Sequence, residues 1–428
     1  MENPVGENRE IQPSRDFLSI FGDQAKKYQS RPVMIFQGRH LTYHSANVYS
    51  SSLAFNLNSV LGLEKGDRVL IALPWSPQLV ISILAVLKVG AVPAFMDHRA
   101  TSEQIRLYAS MEKFKGVIVP MESETMIDTG HSLSFVILSR MRDFLPFEGF
   151  ISHSIKKPLL RRMVSGNIEV MDFSEAIYDT HEYKPDEVVS DNLSMMYPGV
   201  DANDSLRFVP INLSMLVRRS VAIADRLQTK AYAPRIASSI ESWTPEGTIF
   251  NFIVPVLIGG SSIVTYEKSP SYLLRMASIF QADVLLMTPP ELYKLFIRGI
   301  RRLPISVKNI LVDSSRNTPE MRIQLAKKFQ QRFMEIFGVT DLGGITHIST
   351  GIDDDGSPYF KPLAGISQEI RDRANGDVLQ PGKIGKIFVS ESQDPNVTAP
   401  IDTMAYGLLD ESGMLKIQEF HPQMIFPD

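Results

Sequence analysis

Along the chain, short apolar runs alternate with longer stretches whose apolar positions recur every three to four residues. The runs "RVLIALP" (68–74), "GVIVP" (116–120), "ADVLLMT" (282–288) and "KNILVDS" (308–314) read as buried strands. The stretches "PPELYKLFIRGI" and "TPEMRIQLAKKFQQRFM", which follow the last two, read as helices. This alternation predicts an α/β fold with parallel sheets covered on both faces. The longest apolar run, "LVISILAVLKVGAVPAF" (79–95), is interrupted by Lys88, Gly90 and Pro93. It falls short of the ~20 residues of a membrane span. It predicts a buried helix over Pro77–Lys88, then a strand near Ala91–Phe95. After about Gly351 the pattern shortens to period two, broken by Gly, Pro and Asn-Gly. Such a texture predicts hairpins, hence a small antiparallel unit.

A chain of 428 residues is too long for one core. The expected division is a first α/β subdomain (1–190), a second (191–350) and the antiparallel unit (351–428). At 44% hydrophobic and 21% charged the composition is that of a soluble globular protein. A net charge of -4 without a basic block gives no reason to expect nucleic acid as a partner. The absence of cysteine excludes a disulfide framework, thiolate metal sites and a Cys nucleophile. The polar, mixed-charge N-terminus has no secretory pattern, so a cytoplasmic location is expected.

The stretch Met195–Val209 has the placement of a phosphate-binding loop. An apolar lead runs into Gly199 and small polar residues, and "RFVPINLSMLVRRSVAIADRL" then reads as a helix. A phosphate loop needs several glycines and a lysine, and here there is one Gly and no Lys. Asp201-x-Asn203-x-Ser205 has the opening spacing of a calcium loop, but Leu206 stands where Gly is required and Asn212 where Glu is. No HExxH spacing or G-x-S-x-G elbow is present. "DDDG" (353–356) is a hairpin tip.

The order of segments resembles the adenylate-forming superfamily of acyl-CoA synthetases, adenylation domains and luciferases. The likeness rests on "LTY" (41–43), "GDRV" (66–69), Pro74-Trp75-Ser76-Pro77, "LAVLKVGAVPAFMD" (84–97), "VPVLIGGSSIV" (254–264) and "ADVLLMTPPELY" (282–293). It continues through "FGVTD" (337–341), "PGKIGKIFVS" (381–390) and "LLDESGMLKI" (408–417). The resemblance implies the large N-terminal domain of that family: two packed αβα layers and a small β-rich subdomain ending near the hinge, without the C-terminal lysine domain.

It also implies where nucleotide chemistry would sit, and there the chain departs from the pattern. The signature loop falls on Tyr197 to Arg207. Its glycine places hold Val200 and Asn203, its hydroxyl places Asp201 and Ala202, and its lysine place Leu206. Asp201 and Asp204 would repel a polyphosphate, and Arg207 offers a cation one position late. The ribose-binding Thr-Gly-Asp becomes Thr403-Met404-Ala405, and a Gly-Arg pair becomes Glu419-Phe420. "FGVTD" is the best-kept piece. By resemblance Phe337 would stack on adenine, Gly338 and Thr340 would face phosphate, and Asp341 would hold magnesium. Ser314 and Arg316 fall on the adenine-side loop, and Tyr197 opens the phosphate loop. Trp243, Gly343 and Gly344 are candidates for the wall of an acyl pocket.

One lost electrostatic contact at a reacting centre typically costs ~10²–10³ in rate. The expected function is therefore an acyl-CoA-synthetase-like protein with lost or impaired adenylation. It would bind an acyl or aryl acid, its thioester, or a protein partner, and no cofactor is expected. The alternatives are an active acyl or aryl acid ligase that uses ATP and magnesium with a partner chain, an acyltransferase with a repurposed cleft that needs no ATP, and a scaffold subunit.

Overall fold

The computed structural model describes residues 16–121, 127–128, 133–144, 164–165, 168–178, 183, 193–200, 206–227, 233–266, 269–299, 303–314, 317–329, 332–353, 356–391 and 399–420. The first strands, β1 (Pro32–Phe36) and β2 (Arg39–Thr42), form a hairpin. Next come β3 (Arg68–Ile71), the buried helix Pro77–Val89, β4 (Val92–Phe95) and β5 (Phe114–Pro120). Two-residue strands β6 (Ile127–Asp128) and β8 (Val164–Ser165) pair with each other, while β7 (Phe135–Ser139) and β9 (Glu169–Asp172) extend the sheet begun by β3. The strands β10 (Ser194–Val200) and β11 (Leu206–Asn212) complete that sheet, whose order is β11-β10-β4-β3-β5-β7-β9.

The second sheet begins with β12 (Arg235–Ser238), β13 (Ser261–Val264), β14 (Val284–Leu286), β15 (Asn309–Asp313) and β16 (Arg332–Val339), all parallel. It continues antiparallel through β17 (Gly344–Ile352), β18 (Pro358–Pro362), β19 (Ile366–Arg371), β20 (Gly385–Glu391), β21 (Ile401–Leu409) and β22 (Leu415–Phe420). The order is β19-β20-β21-β22-β18-β17-β16-β15-β14-β12-β13-β1-β2. The antiparallel strands therefore hydrogen-bond onto the parallel ones. The two sheets also exchange strands: β1 and β2 join the larger sheet, and β10 and β11 join the smaller.

The helix Pro77–Val89 explains itself. Ser76 caps it through a hydrogen bond from Leu79 N, Pro77 occupies the first turn, and Gly90 ends it at φ 80°. Twelve of its thirteen residues are buried, so it lies in the core with no polar face.

Two expectations are corrected. Residues 207–212 are not helical: β11 pairs in register with β10, from Val200↔Leu206 to Ser194↔Asn212, and the helix starts at Leu213. Pro210, which has no N–H, is tolerated because β11 is the edge strand, and Asn212 Oδ1 receives Ser214 N at 2.8 Å at the helix start. Likewise the helix from Pro319 ends at Phe329, and Arg332–Val339 is strand β16, with five residues paired to β15. In both cases sheet pairing overrides an apparent helical period.

The helix Leu213–Leu227 is fixed to the larger sheet by a buried ion pair. Arg219 is 1% exposed, its Nη2 reaches Glu391 Oε2 at 3.1 Å, and its Nε donates to Leu342 O at 3.4 Å. Arg218 Nη2 donates to Glu391 Oε1 at 2.9 Å. Burial lowers the Arg219 pKa and the Glu391 charge opposes that shift. Removing one member leaves a buried charge uncompensated. Arg219→Met is expected to lower unfolding stability by about 3 kcal/mol, and Arg218→Met by much less. Equal effects in chemical denaturation would contradict this arrangement.

Candidate functional site

The strand β11 lies directly against the turn Thr340–Leu342, which the helix Leu213–Leu227 also contacts through Arg219. Arg207 Nη2, on β11, lies 2.6 Å from Asp341 Oδ1. The late cation and the candidate metal carboxylate are thus partners of each other. Their side chains are 40% and 32% exposed, so the bond stands at the surface, not in the core.

The other candidates are engaged by the protein itself. Tyr197 is fully buried, its ring lies tilted 5.1 Å from that of Phe95, and its hydroxyl donates to Thr248 Oγ1 at 2.9 Å. Phe337 is 4% exposed and packs between His347 and Phe360, with ring centroids 5.6 and 6.0 Å away. Gly338 is dictated by sheet geometry: a Cβ there would fall 1.6 Å from Gly344 O. Thr340 opens the turn, and its carbonyl accepts from Gly343 N at 2.9 Å. Ser314 is buried at the end of β15, and its hydroxyl finds no partner among the described residues. Arg316 lies outside the described residues, as do Asp201, Ala202, Asn203, Asp204 and Ser205.

Gly343 and Gly344 adopt φ 78° and 82°, a region that favours glycine. The close approach they allow is used by protein groups. A Cβ at Gly344 would lie 2.5 Å from Glu246 Oε1, and one at Gly343 would lie 3.3 Å from Met215 Sδ. Trp243 is half-buried against the main core. A cavity of about 40 Å³ opens nearby, at the C-terminal ends of β12 and β13, lined by residues including Trp75, Ser239, Glu241 and Glu291. That is room for only a few waters. Neither Trp243 nor the two glycines line it.

The places of the remaining family motifs are equally occupied. Ala405 is 1% exposed, inside the core. Met404 keeps φ 55°, a left-handed kink within β21, and its N–H donates to Asp402 Oδ1 at 2.9 Å. A non-glycine residue in that region carries ~1 kcal/mol or more of strain. The backbone thus retains a bend for which Gly is suited, at the place where the resemblance puts Gly. Glu419 is exposed and lies 3.9 Å from Arg373 Nη2.

Sequence reading missed Glu246 and His347. Glu246 follows Thr244-Pro245, a helix start whose N-cap bond, Gly247 N to Thr244 Oγ1 at 3.1 Å, was a readable signal. Burial, with the Asp313 charge adding to it, pushes the Glu246 carboxyl up to about 7. His347 bonds Thr346 Oγ1 at 2.8 Å and Gln368 Oε1 at 2.7 Å, and burial pushes it down to about 4. Nothing in the sequence around His347 marked it. No cluster of three metal-ligating side chains is found among the described residues.

A family model described as "AMP-binding enzyme" matches residues 21–179. A long-chain-fatty-acid–CoA ligase of Salmonella typhimurium is 22% identical over 466 residues, covering 99% of this chain and 80% of that protein. A long-chain-fatty-acid–CoA ligase of Bacillus subtilis is 27% identical over 144 residues, which span 32% of this chain and only 24% of that protein. Among solved structures, an N-terminal subdomain from Klebsiella oxytoca in complex with 3-hydroxyanthranilyl-AMSN superposes with a TM-score of 0.71 at 14% identity, covering 96% of this chain and 100% of that one. O-succinylbenzoate coenzyme A synthetase from Bacillus subtilis, in complex with ATP and magnesium ion, gives 0.70 at 15% identity, covering 95% and 79%. Two α/β sheets joined to an antiparallel extension are the shared fold.

Glu246 and His347 pull stability in opposite directions with pH. Glu246 is protonated when folded but ionised when unfolded between 4.5 and about 7, so its contribution is full below 4.5 and is lost as pH rises through 7. His347 is neutral when folded but protonated when unfolded between about 4 and 6.5, so stability is lost as pH falls through that window. Relative to Glu246→Gln, the wild type should lose stability as pH rises from 4.5 to 7. Parallel stability–pH curves for the two proteins would contradict the burial of this carboxyl.

Proposed function

We propose that the chain is an acyl-CoA-synthetase-like member of the adenylate-forming superfamily that acts without adenylation. Its role on this reading is to bind an acyl or aryl acid, its thioester, or a protein partner, with no ATP or magnesium required. One observation carries the proposal. The Arg207–Asp341 bond at 2.6 Å neutralises a carboxylate that a magnesium ion would need and a cation that a polyphosphate would need. Three further features support it: the covered faces of Phe337, the buried hydroxyl of Tyr197, and Ala405 at the ribose-carboxylate position.

The narrow cavity and the filling of the Gly343–Gly344 approach favour a protein partner over a large ligand within this arm of the reading. The second reading, an active ligase, draws on the exposure of the same ion pair. Half-exposed pairs are worth about 0–1 kcal/mol, so a bound nucleotide could displace this one. ATP–pyrophosphate exchange with a mixture of fatty and aromatic carboxylic acids separates the two. Background exchange is expected for the wild type. Exchange above background that disappears in Asp341→Ala would establish the active ligase instead.

A further inference from the structure

One edge of the larger sheet carries a surface that the proposed activity does not use. In parallel β/α units the helices run antiparallel to their strands, so helix C-termini gather at the strands' N-terminal edge. Here the helices Pro289–Ile297 and Pro319–Phe329 end together: Lys328 Nζ stands 4.9 Å above the Phe296 ring. The turn leading into β15 ends at the same edge, where Lys308 N donates to Asp283 O at 2.8 Å and Lys308 Nζ to Ile305 O at 3.2 Å.

This edge is apolar at its tips and basic around them. Ile305 is 91% exposed and Ile297 is 67% exposed. Lys294, Arg298, Lys308 and Lys327 are exposed beside them, with Lys328 half-buried over Phe296. The carboxylates of the same elements are directed elsewhere. Glu291 bonds Ser239 Oγ at 2.6 Å at the start of its helix, and Glu320 stands at the far end of the other helix. Asp283, whose field reaches Lys308, accepts Arg235 N at 2.9 Å. A local excess of cations on a chain of net charge -4 singles this edge out.

We propose that this edge docks on an anionic lipid surface. Exposed isoleucines between lysines and arginines match what an interface of that kind selects: aliphatic groups that enter the acyl boundary, and cations that meet the headgroups. An acidic protein surface would be met by the cations but would leave Ile305 exposed at the tip. Each cation close to the surface strengthens partitioning roughly fivefold. No helix among the described residues is long and apolar enough to cross a membrane, so the contact is peripheral.

Vesicle sedimentation of the whole protein tests this. Wild type should pellet with vesicles of equal parts phosphatidylcholine and phosphatidylglycerol, and should remain in solution with phosphatidylcholine alone. Salt near 1 M, where the Debye length is about 3 Å, should release it. The double variant Ile297→Glu, Ile305→Glu should bind at least ~tenfold more weakly with an unchanged melting temperature, since both side chains face solvent. Failure to pellet with the mixed vesicles, or pelleting that the double variant leaves intact, would overturn the proposal. A wild-type dimer in light scattering that the double variant disperses would overturn it too, and would assign the face to a second copy of this chain.

Discussion

The placement of Arg207 against Asp341 depends on the buried contact between Arg219 and Glu391. Placing a guanidinium and a carboxylate out of water costs several kcal/mol each, and only close geometry with further hydrogen bonds offsets it. Both conditions hold, because Glu391 is shared by two arginines and Arg219 also donates to Leu342 O. The consequence is positional. The helix Leu213–Leu227 cannot shift without breaking the pair, and the turn after Asp341 is tied to that helix. β11, which leads into the helix, carries Arg207. The backbone segments that carry Arg207 and Asp341 are therefore positioned from the core, although the side-chain bond between them is half-exposed.

From that constraint follows the chemical character of the surface around the pair. The facing charges of Arg207 and Asp341 are matched within the protein. The same pattern recurs where Glu246 fills the space beside Gly344 and where the Phe337 ring lies between His347 and Phe360. Met404 shows how this coexists with the fold. Its left-handed φ keeps the bend of β21 at a residue poorly suited to it, so backbone geometry persists where side-chain chemistry differs.

Much of the fold was legible because burial writes itself into sequence. The run 77–95 gave both its helix and its strand, since a segment buried all round has no polar face to obscure the reading. The texture change near Gly351 marked real hairpins, but their hydrogen bonding onto β16 was not visible, because β17 and β18 join through register and not composition. Residues 207–212 and 332–334 were misread as helix because short apolar runs satisfy both periods, and the partner strand decides. At the site, the departures from the family's residue types could be read directly. The Arg207–Asp341 bond could not be, since 134 positions separate its ends. Nor could Glu246, whose raised pKa arises from tertiary burial and from Asp313.

The central claim is that matched protein charges leave the cleft unable to take a nucleotide. Calorimetric titration of the whole protein with magnesium–ATP tests it most directly. The account predicts no saturable heat at micromolar concentrations, with the intact fold confirmed by a cooperative melt. Saturable one-to-one binding at those concentrations, weakened by Asp341→Ala, would contradict it.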